Sequence, residues 1–260
     1  STAMVVTMHF SAAAVIEKYG DETLRREVAG GRLVTLAFSE AGSRGHFWAP
    51  TGTAKKDGAS IRLDAKKSWV TSAHHADYVW SSKPVAADGA STIWFVPRST
   101  QGLSIAGRFD GIGLRGNDSS PVAASGVTVP ESARLGDDGK GFDVMMGAVL
   151  PVFQVLNAAC SAGLMEAAVE KTAAHVSGTS FEHLGSTLGD LPTIRAYVAR
   201  MRVQADMVKA LVGDTLDAME KNRPDTMLRV LEVKAAAGET ATAVLDLAMR
   251  VSGGAAFRKE

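Results

Sequence analysis

The sequence has one cysteine and three tyrosines among 260 residues, and no surplus of either charge, with 28 basic and 28 acidic side chains. Each scarcity excludes something. The lone Cys160, set in an apolar helical run, cannot form an internal disulfide or a zinc cluster, so the chain reads as one from a reducing, cytoplasmic compartment. Charge balance leaves no global field to draw nucleic acid or an anionic membrane. No unbroken apolar run reaches the roughly eighteen residues of a bilayer helix, and Ser1–Phe10 has no basic segment. Neither a membrane span nor a signal peptide is expected. What remains, 46% hydrophobic and 22% charged residues, is the composition of a globular chain able to bury a large core.

Periodicity divides the chain into three. Ala3–Glu17 and Glu22–Val28 read as two short helices, the second capped by Asp21 and closed by Gly30-Gly31. Leu33–Phe38, Ser60–Leu63, Lys67–Thr71, Asp77–Ser81, Ser91–Val96 and Val122–Val129 are short β-branched or aromatic runs separated by glycine turns, the mark of a small sheet or barrel. From Phe142 the period is helical. One long helix is predicted to about Val176 with an interruption near Pro151, a second from Pro192 to Asn222, and a third over Thr226–Ser252. Long helices joined by short connections predict an antiparallel bundle. The predicted class is α+β and multidomain, with a helical segment over 1–31, a β-domain over 32–138 and a helical bundle over 139–260.

Two strand ends carry the chemistry. Phe38-Ser39 and Trp69-Val70-Thr71-Ser72 each place small hydroxyls beside an aromatic ring. Hydroxyls can bond the edge of a flat polar ligand while an aromatic side chain covers its face. On chemistry alone the same residues read first as ordinary strand ends with core aromatics. Gly111-Ile112-Gly113-Leu114-Arg115-Gly116 satisfies the dinucleotide spacing, but it opens no helix within a βαβ unit and fails that context. The six histidines show no metal-ligand spacing, and no metal site is expected.

Several ordered motifs resemble the acyl-CoA dehydrogenase family. They are Leu36-Ala37-Phe38-Ser39-Glu40, Asp57-Gly58 with Leu63 to Ala73, Gly113 to Ser119, Val127-Thr128-Val129-Pro130 with Leu135-Gly136 and Gly139 to Phe142, and Lys234 to Ala241 with Gly253-Gly254. The resemblance implies bound FAD and an acyl-CoA or similar small-molecule substrate. It also implies a homo-oligomer, dimer or tetramer, an electron-transfer partner, and a place in fatty acid or lipid catabolism. By position it places Phe38, Ser39, Trp69, Thr71 and Ser72 at the flavin ring, and Phe181, Arg250, Gly253 and Gly254 at the adenosine diphosphate part across a subunit boundary.

The sequence departs from the family pattern in four places. Ala41-Gly42-Ser43-Arg44-Gly45-His46-Phe47-Trp48 replaces the family's proline- and glycine-rich turn, which makes Ser43, Arg44 and His46 candidate substrate contacts. Ser177 to His183 keeps Phe181 and lacks the family's arginine. His74-His75 follows the Trp69 strand, and if both lie in a strand only one faces the site. The family's usual catalytic glutamate would lie beyond Glu260. Asp217 and Glu220 on the earlier bundle helix are the replacement candidates, and each also reads as a solvated helix-end carboxylate. The resemblance therefore implies a chain lacking the start of the N-terminal helical domain and the C-terminal end. The expected activity is FAD-dependent α,β-dehydrogenation of an acyl thioester. The alternatives are a flavin monooxygenase of the same fold and a non-catalytic partner subunit of a hetero-oligomer.

Overall fold

Two helices begin the chain in the computed structural model, which describes residues 1–107 and 110–258. α1 (Thr2–Tyr19) buries Ala12, Val15 and Ile16. α2 (Glu22–Ala29) starts at Asp21, whose side chain accepts a 2.8 Å hydrogen bond from the Leu24 amide and so satisfies one orphan donor of the first turn.

Two sheets follow. β1 (Val34–Ala37), β4 (Asp77–Ser82) and β5 (Thr92–Val96) form the first in the order β1-β4-β5, with β1 parallel to β4 and β5 antiparallel to it. β2 (Thr53–Asp57), β3 (Ser60–Val70), β6 (Leu103–Ile105) and β7 (Ser120–Pro130) form the second, antiparallel in the order β2-β3-β7-β6. Alternation along the first sheet gives it two apolar faces. Ala37, Tyr78, Trp80, Trp94 and Val96 share a core with Leu63, Val70, Val122 and Val127 of the second sheet. Leu36, Phe38, Val79, Ile93 and Phe95 pack with α1 and with Val144, Met145, Ala148 and Val149. Burial on both faces explains why β1 and β5 read as continuous apolar runs.

The runs at Ser60–Leu63 and Lys67–Thr71, read from the sequence as two strands, are one strand. Pairing with β2 as far as Asp64 and with β7 beyond it carries β3 across Asp64, Ala65 and Lys66, with register shifts at Leu63/Ala65 and at Lys67/Val70. β2 and β6 escape the sequence reading because each lies at a sheet edge with little buried surface.

The bundle's first helix is continuous over Gly141–Gly178, where the sequence reading placed an interruption. It comprises α3 (Gly141–Val144), a π turn at Met145–Val149 and α4 (Leu150–Gly178). Pro151 has no N–H to return to the preceding turn, and widening that turn re-pairs the freed carbonyls without ending the helix. Length and apolar composition would let this helix cross a membrane. Its residues nevertheless supply two cores, Val144 to Val149 in one and Val155, Ala158, Met165 and Val169 in the other, as a core helix does.

The chain forms two compact units, Ser1–Phe153 and Gln154–Glu260. In the second, α5 (Pro192–Glu220) and α6 (Thr226–Ser252) pack Met201, Ala205, Val208, Val233, Ala237 and Val244 against α4. A short hairpin, β8 (Ser180–Phe181) with β9 (Ser186–Thr187), lies between α4 and α5. Gly253, at φ 54°, ends α6 in a conformation costly for any residue with a Cβ.

Candidate functional site

The end of β1 and the end of β3 meet. The Ser68 amide donates to the Ser39 carbonyl at 2.9 Å, and Glu40 and Lys67 form an isolated antiparallel bridge. Beneath that bridge the two side chains make a buried ion pair, with Lys67 Nζ 2.6 Å from Glu40 Oε1. Lys67 also donates to the Ser81 carbonyl at 2.7 Å and to Ser81 Oγ at 3.0 Å. Glu40 Oε2 accepts from the amides of Thr51 at 2.6 Å and Gly52 at 2.9 Å. Burial draws the Lys67 ammonium down to about 8 against the opposing pull of Glu40. Burial alone would raise the Glu40 carboxyl, but Lys67 and the Thr51 donors outweigh it and hold it below the ordinary value. The pair pins both strand ends from behind.

Just past the pin, β3 bulges. Trp69 adopts φ 56°, a left-handed conformation that costs a non-glycine residue about 1–2 kcal/mol. The residue is 59% exposed. The bulge turns Trp69 onto a cavity of about 260 Å³ in the first unit. Leu36 of β1 with Phe38 just past its end, Met4 and Met8 of α1, and Val149 and Phe153 form its apolar walls, while Ser39, Ser68 and Thr71 bring hydroxyls. No titratable side chain lines it among the described residues.

Of the sequence candidates, Phe38, Ser39, Trp69 and Thr71 therefore converge on one cavity. Ser72 sits behind it, buried at φ 55°, with its amide donating to the Asn117 carbonyl at 2.9 Å. Ser43, Arg44 and His46 lie on the following loop and do not line the cavity. The Arg44 amide returns to the Glu40 carbonyl at 2.8 Å, and His46 packs edge-on against Trp48 at 5.2 Å. Their neighbour Phe47 does line it, a contact that sequence reasoning missed. His74 and His75 occupy a turn, which overturns the strand alternation assumed for them. Both approach Asp118, at 2.8 and 4.0 Å.

The remaining candidates belong to the second unit. Phe181, on β8, packs edge-on against His183, and Arg250 pairs with Asp246 at 2.7 Å near Gly253 and Gly254 at the end of α6. Asp217 is ion-paired with Lys221 at 2.6 Å and lies 3.6 Å from Arg223. The Lys221 hydrogen bond holds its carboxyl below the ordinary range, which makes it a poor proton acceptor. Glu220 is exposed at the end of α5.

The Glu40–Lys67 pair was also missed, although a signal was present. Ile61, Leu63 and Lys67 fall on alternate positions, which directs a lysine toward the core.

Residues 139–260 match the acyl-CoA dehydrogenase C-terminal domain. The whole chain aligns at 25% identity with the mitochondrial short-chain specific acyl-CoA dehydrogenase of Bos taurus, covering 100% of this chain and 64% of that one. The C-terminal part of this chain, residues 139–260, belongs to the acyl-CoA dehydrogenase family. Another family relative, cyclohex-1-ene-1-carbonyl-CoA dehydrogenase of Syntrophus aciditrophicus, is 28% identical over 88% of this chain and 55% of its own length. The fold is that of butyryl-CoA dehydrogenase from Megasphaera elsdenii, at TM-score 0.90 and 21% identity over 98% of this chain and 68% of that structure. Glutaryl-coenzyme A dehydrogenase in its glutaryl-CoA complex gives the same TM-score, 0.90, covering 98% of this chain and 66% of that structure. The chain thus spans between 55% and 64% of the length of these two curated relatives.

Proposed function

We propose that this chain is the flavin-holding part of an FAD-dependent acyl-CoA dehydrogenase-like oxidoreductase that forms an α,β double bond in an acyl thioester. The observation that carries the reading is the β3 bulge, which spends backbone strain to present Trp69 beside Phe38 and the hydroxyls of Ser39 and Thr71. Apolar walls with a few fixed hydroxyls suit a flat aromatic ring with a polar edge, so the residues present fit a flavin. A flavin bound there supplies a two-electron acceptor.

The chain's own residues do the rest. Trp69 covers the ring and the hydroxyls fix its orientation. The methionine and aliphatic walls exclude water, and the Glu40–Lys67 pin keeps the two strand ends in register. A base must take the substrate α-proton, and among the described residues the cavity lining offers none. We place that base outside the lining, and we place an electron-transfer partner and a second copy of the chain among the protein's associates. The localisation we propose is cytoplasmic.

The absence of a carboxylate from the lining also favours a second reading, a flavin monooxygenase of the same fold, which needs no such base. The test is the visible spectrum of the purified protein loaded with FAD. Anaerobic bleaching of the flavin band by butyryl-CoA supports dehydrogenation. Bleaching only by an added reductase, followed by substrate-dependent oxygen uptake, supports the monooxygenase and rejects the dehydrogenase.

A further inference from the structure

The turn that carries Thr71 is tied down from one side by a segment with no assigned role. Asp118 grips His74 at two atoms, one carboxylate oxygen accepting from the His74 amide at 2.8 Å and the other lying 2.8 Å from ring Nδ1. The Asp118 carbonyl accepts from the Ala73 amide at 3.0 Å, and the Asn117 carbonyl accepts from the Ser72 amide at 2.9 Å. Ser119 Oγ lies 3.4 Å from Thr71 Oγ1. Three consecutive residues, Asn117 to Ser119, thus run alongside Thr71 to His74 and bond each of them.

The turn needs such a strap. Ser72 and Asp118 hold left-handed backbone conformations at φ 55° and 52°, which non-glycine residues keep only where their surroundings impose them. Tyr78 secures the same turn from the core, its hydroxyl donating to the Ala73 carbonyl at 2.6 Å. The Tyr78 contact reaches one backbone atom. The Asp118 carboxylate alone holds His74 through both backbone and ring.

We propose that Asp118, acting through His74, is a positioning residue for the cavity: it fixes the turn that aims the Thr71 hydroxyl and thereby sets the seat of the bound ring. The proposal rests on reading the cavity as a flavin site. It assigns a role to two side chains that do not line that cavity.

The experiment compares the unsubstituted chain with Asp118→Ala, Asp118→Asn, His74→Ala and the Asp118→Ala/His74→Ala pair. Three quantities are read: FAD affinity by titration, the visible circular dichroism of the flavin at saturation, and the melting temperature without FAD. Asp118→Ala is expected to weaken FAD binding about tenfold, the scale of one lost hydrogen-bonding group, and to change the dichroism of the flavin that still binds. His74→Ala changes the dichroism in the same sense, and the double variant binds no more weakly than Asp118→Ala alone, because the two side chains act as one unit. Asp118→Asn restores both signals, since an amide can accept from the His74 N–H and donate to a neutral Nδ1.

A lower melting temperature with unchanged dichroism at saturation would show a purely structural tie and overturn the assignment. So would independent, additive losses in the double variant. Failure of the unsubstituted chain to bind FAD overturns the cofactor reading and this assignment with it, and is told apart because it precedes any substitution.

Discussion

Lys67 and Glu40, 2.6 Å apart and both sealed from solvent, join β3 to the segment just past β1, two strands that belong to different sheets. Each cavity-forming residue pair lies within two positions of this bridge, Phe38 and Ser39 on one side, Ser68 and Trp69 on the other. Removing one partner leaves a buried charge without its counter-ion, which typically costs 3–5 kcal/mol. Lys67→Met is therefore expected to lower the unfolding free energy by about 3 kcal/mol. Pairing it with Glu40→Gln recovers part of that loss. Urea denaturation of the single and double variants checks both.

Asp138 carries a second load. Its carboxylate accepts from three successive amides, Val85, Ala86 and Ala87, each at 2.9 Å, and from Thr92 Oγ1 at 2.6 Å. Partial burial pushes its carboxyl up, but these donors more than compensate and bring it from 3.8 down to about 2. A carboxyl depressed on folding contributes stability that is complete above its unfolded value and is lost as pH falls through the folded one. The melting temperature is accordingly expected to fall between about pH 4 and pH 2. Asp138→Asn starts lower at neutral pH and shows a shallower fall across that window. A series of melts against pH in both proteins reads the difference.

In the second unit, Arg223 bridges Asp214 at 2.7 Å and Asp225 at 2.8 Å, and Arg229 shares both carboxylates at 3.2 and 3.0 Å. These four residues close the turn between α5 and α6. The network is solvent-facing and hence screened by salt. Arg223→Ala is expected to lower the melting temperature at low ionic strength, and the difference should shrink near 1 M salt, where the Debye length is about 3 Å. A salt-independent difference would point to lost packing instead.

Trp69 separates stability from binding. Glycine at this position relieves a left-handed backbone and removes the side chain of a residue that is 59% exposed. Trp69→Gly is expected to change the unfolding free energy by less than about 1 kcal/mol, because relief of strain offsets lost contacts. Thermal melts without cofactor measure it. A loss near 3 kcal/mol would mean that Trp69 serves the fold itself.

The helices were legible because their apolar periods are long, and α6 was read with its observed bounds, Thr226–Ser252. Strands buried on both faces, such as β1 and β5, were legible for the opposite reason, as short solid apolar runs. β2 was not, since Lys55, Lys56 and Asp57 at an exposed edge leave no pattern to read. The continuity of β3 through Asp64 to Lys67 depends on partners distant in sequence, which local propensity cannot register. Within the site, the aromatic and hydroxyl residues at the strand ends were visible as chemistry. The histidine turn was not, because its shape is set by Asp118, far away along the chain.

The claim at the centre is that the cavity bounded by Trp69, Phe38, Ser39 and Thr71 seats a flavin ring. Titration of the purified protein with FAD, before and after Trp69→Gly, tests it most directly. The account predicts saturable binding by the unsubstituted chain and at least about tenfold weaker binding by Trp69→Gly, with the fold intact by thermal melt. Equal affinity in the two proteins would contradict it.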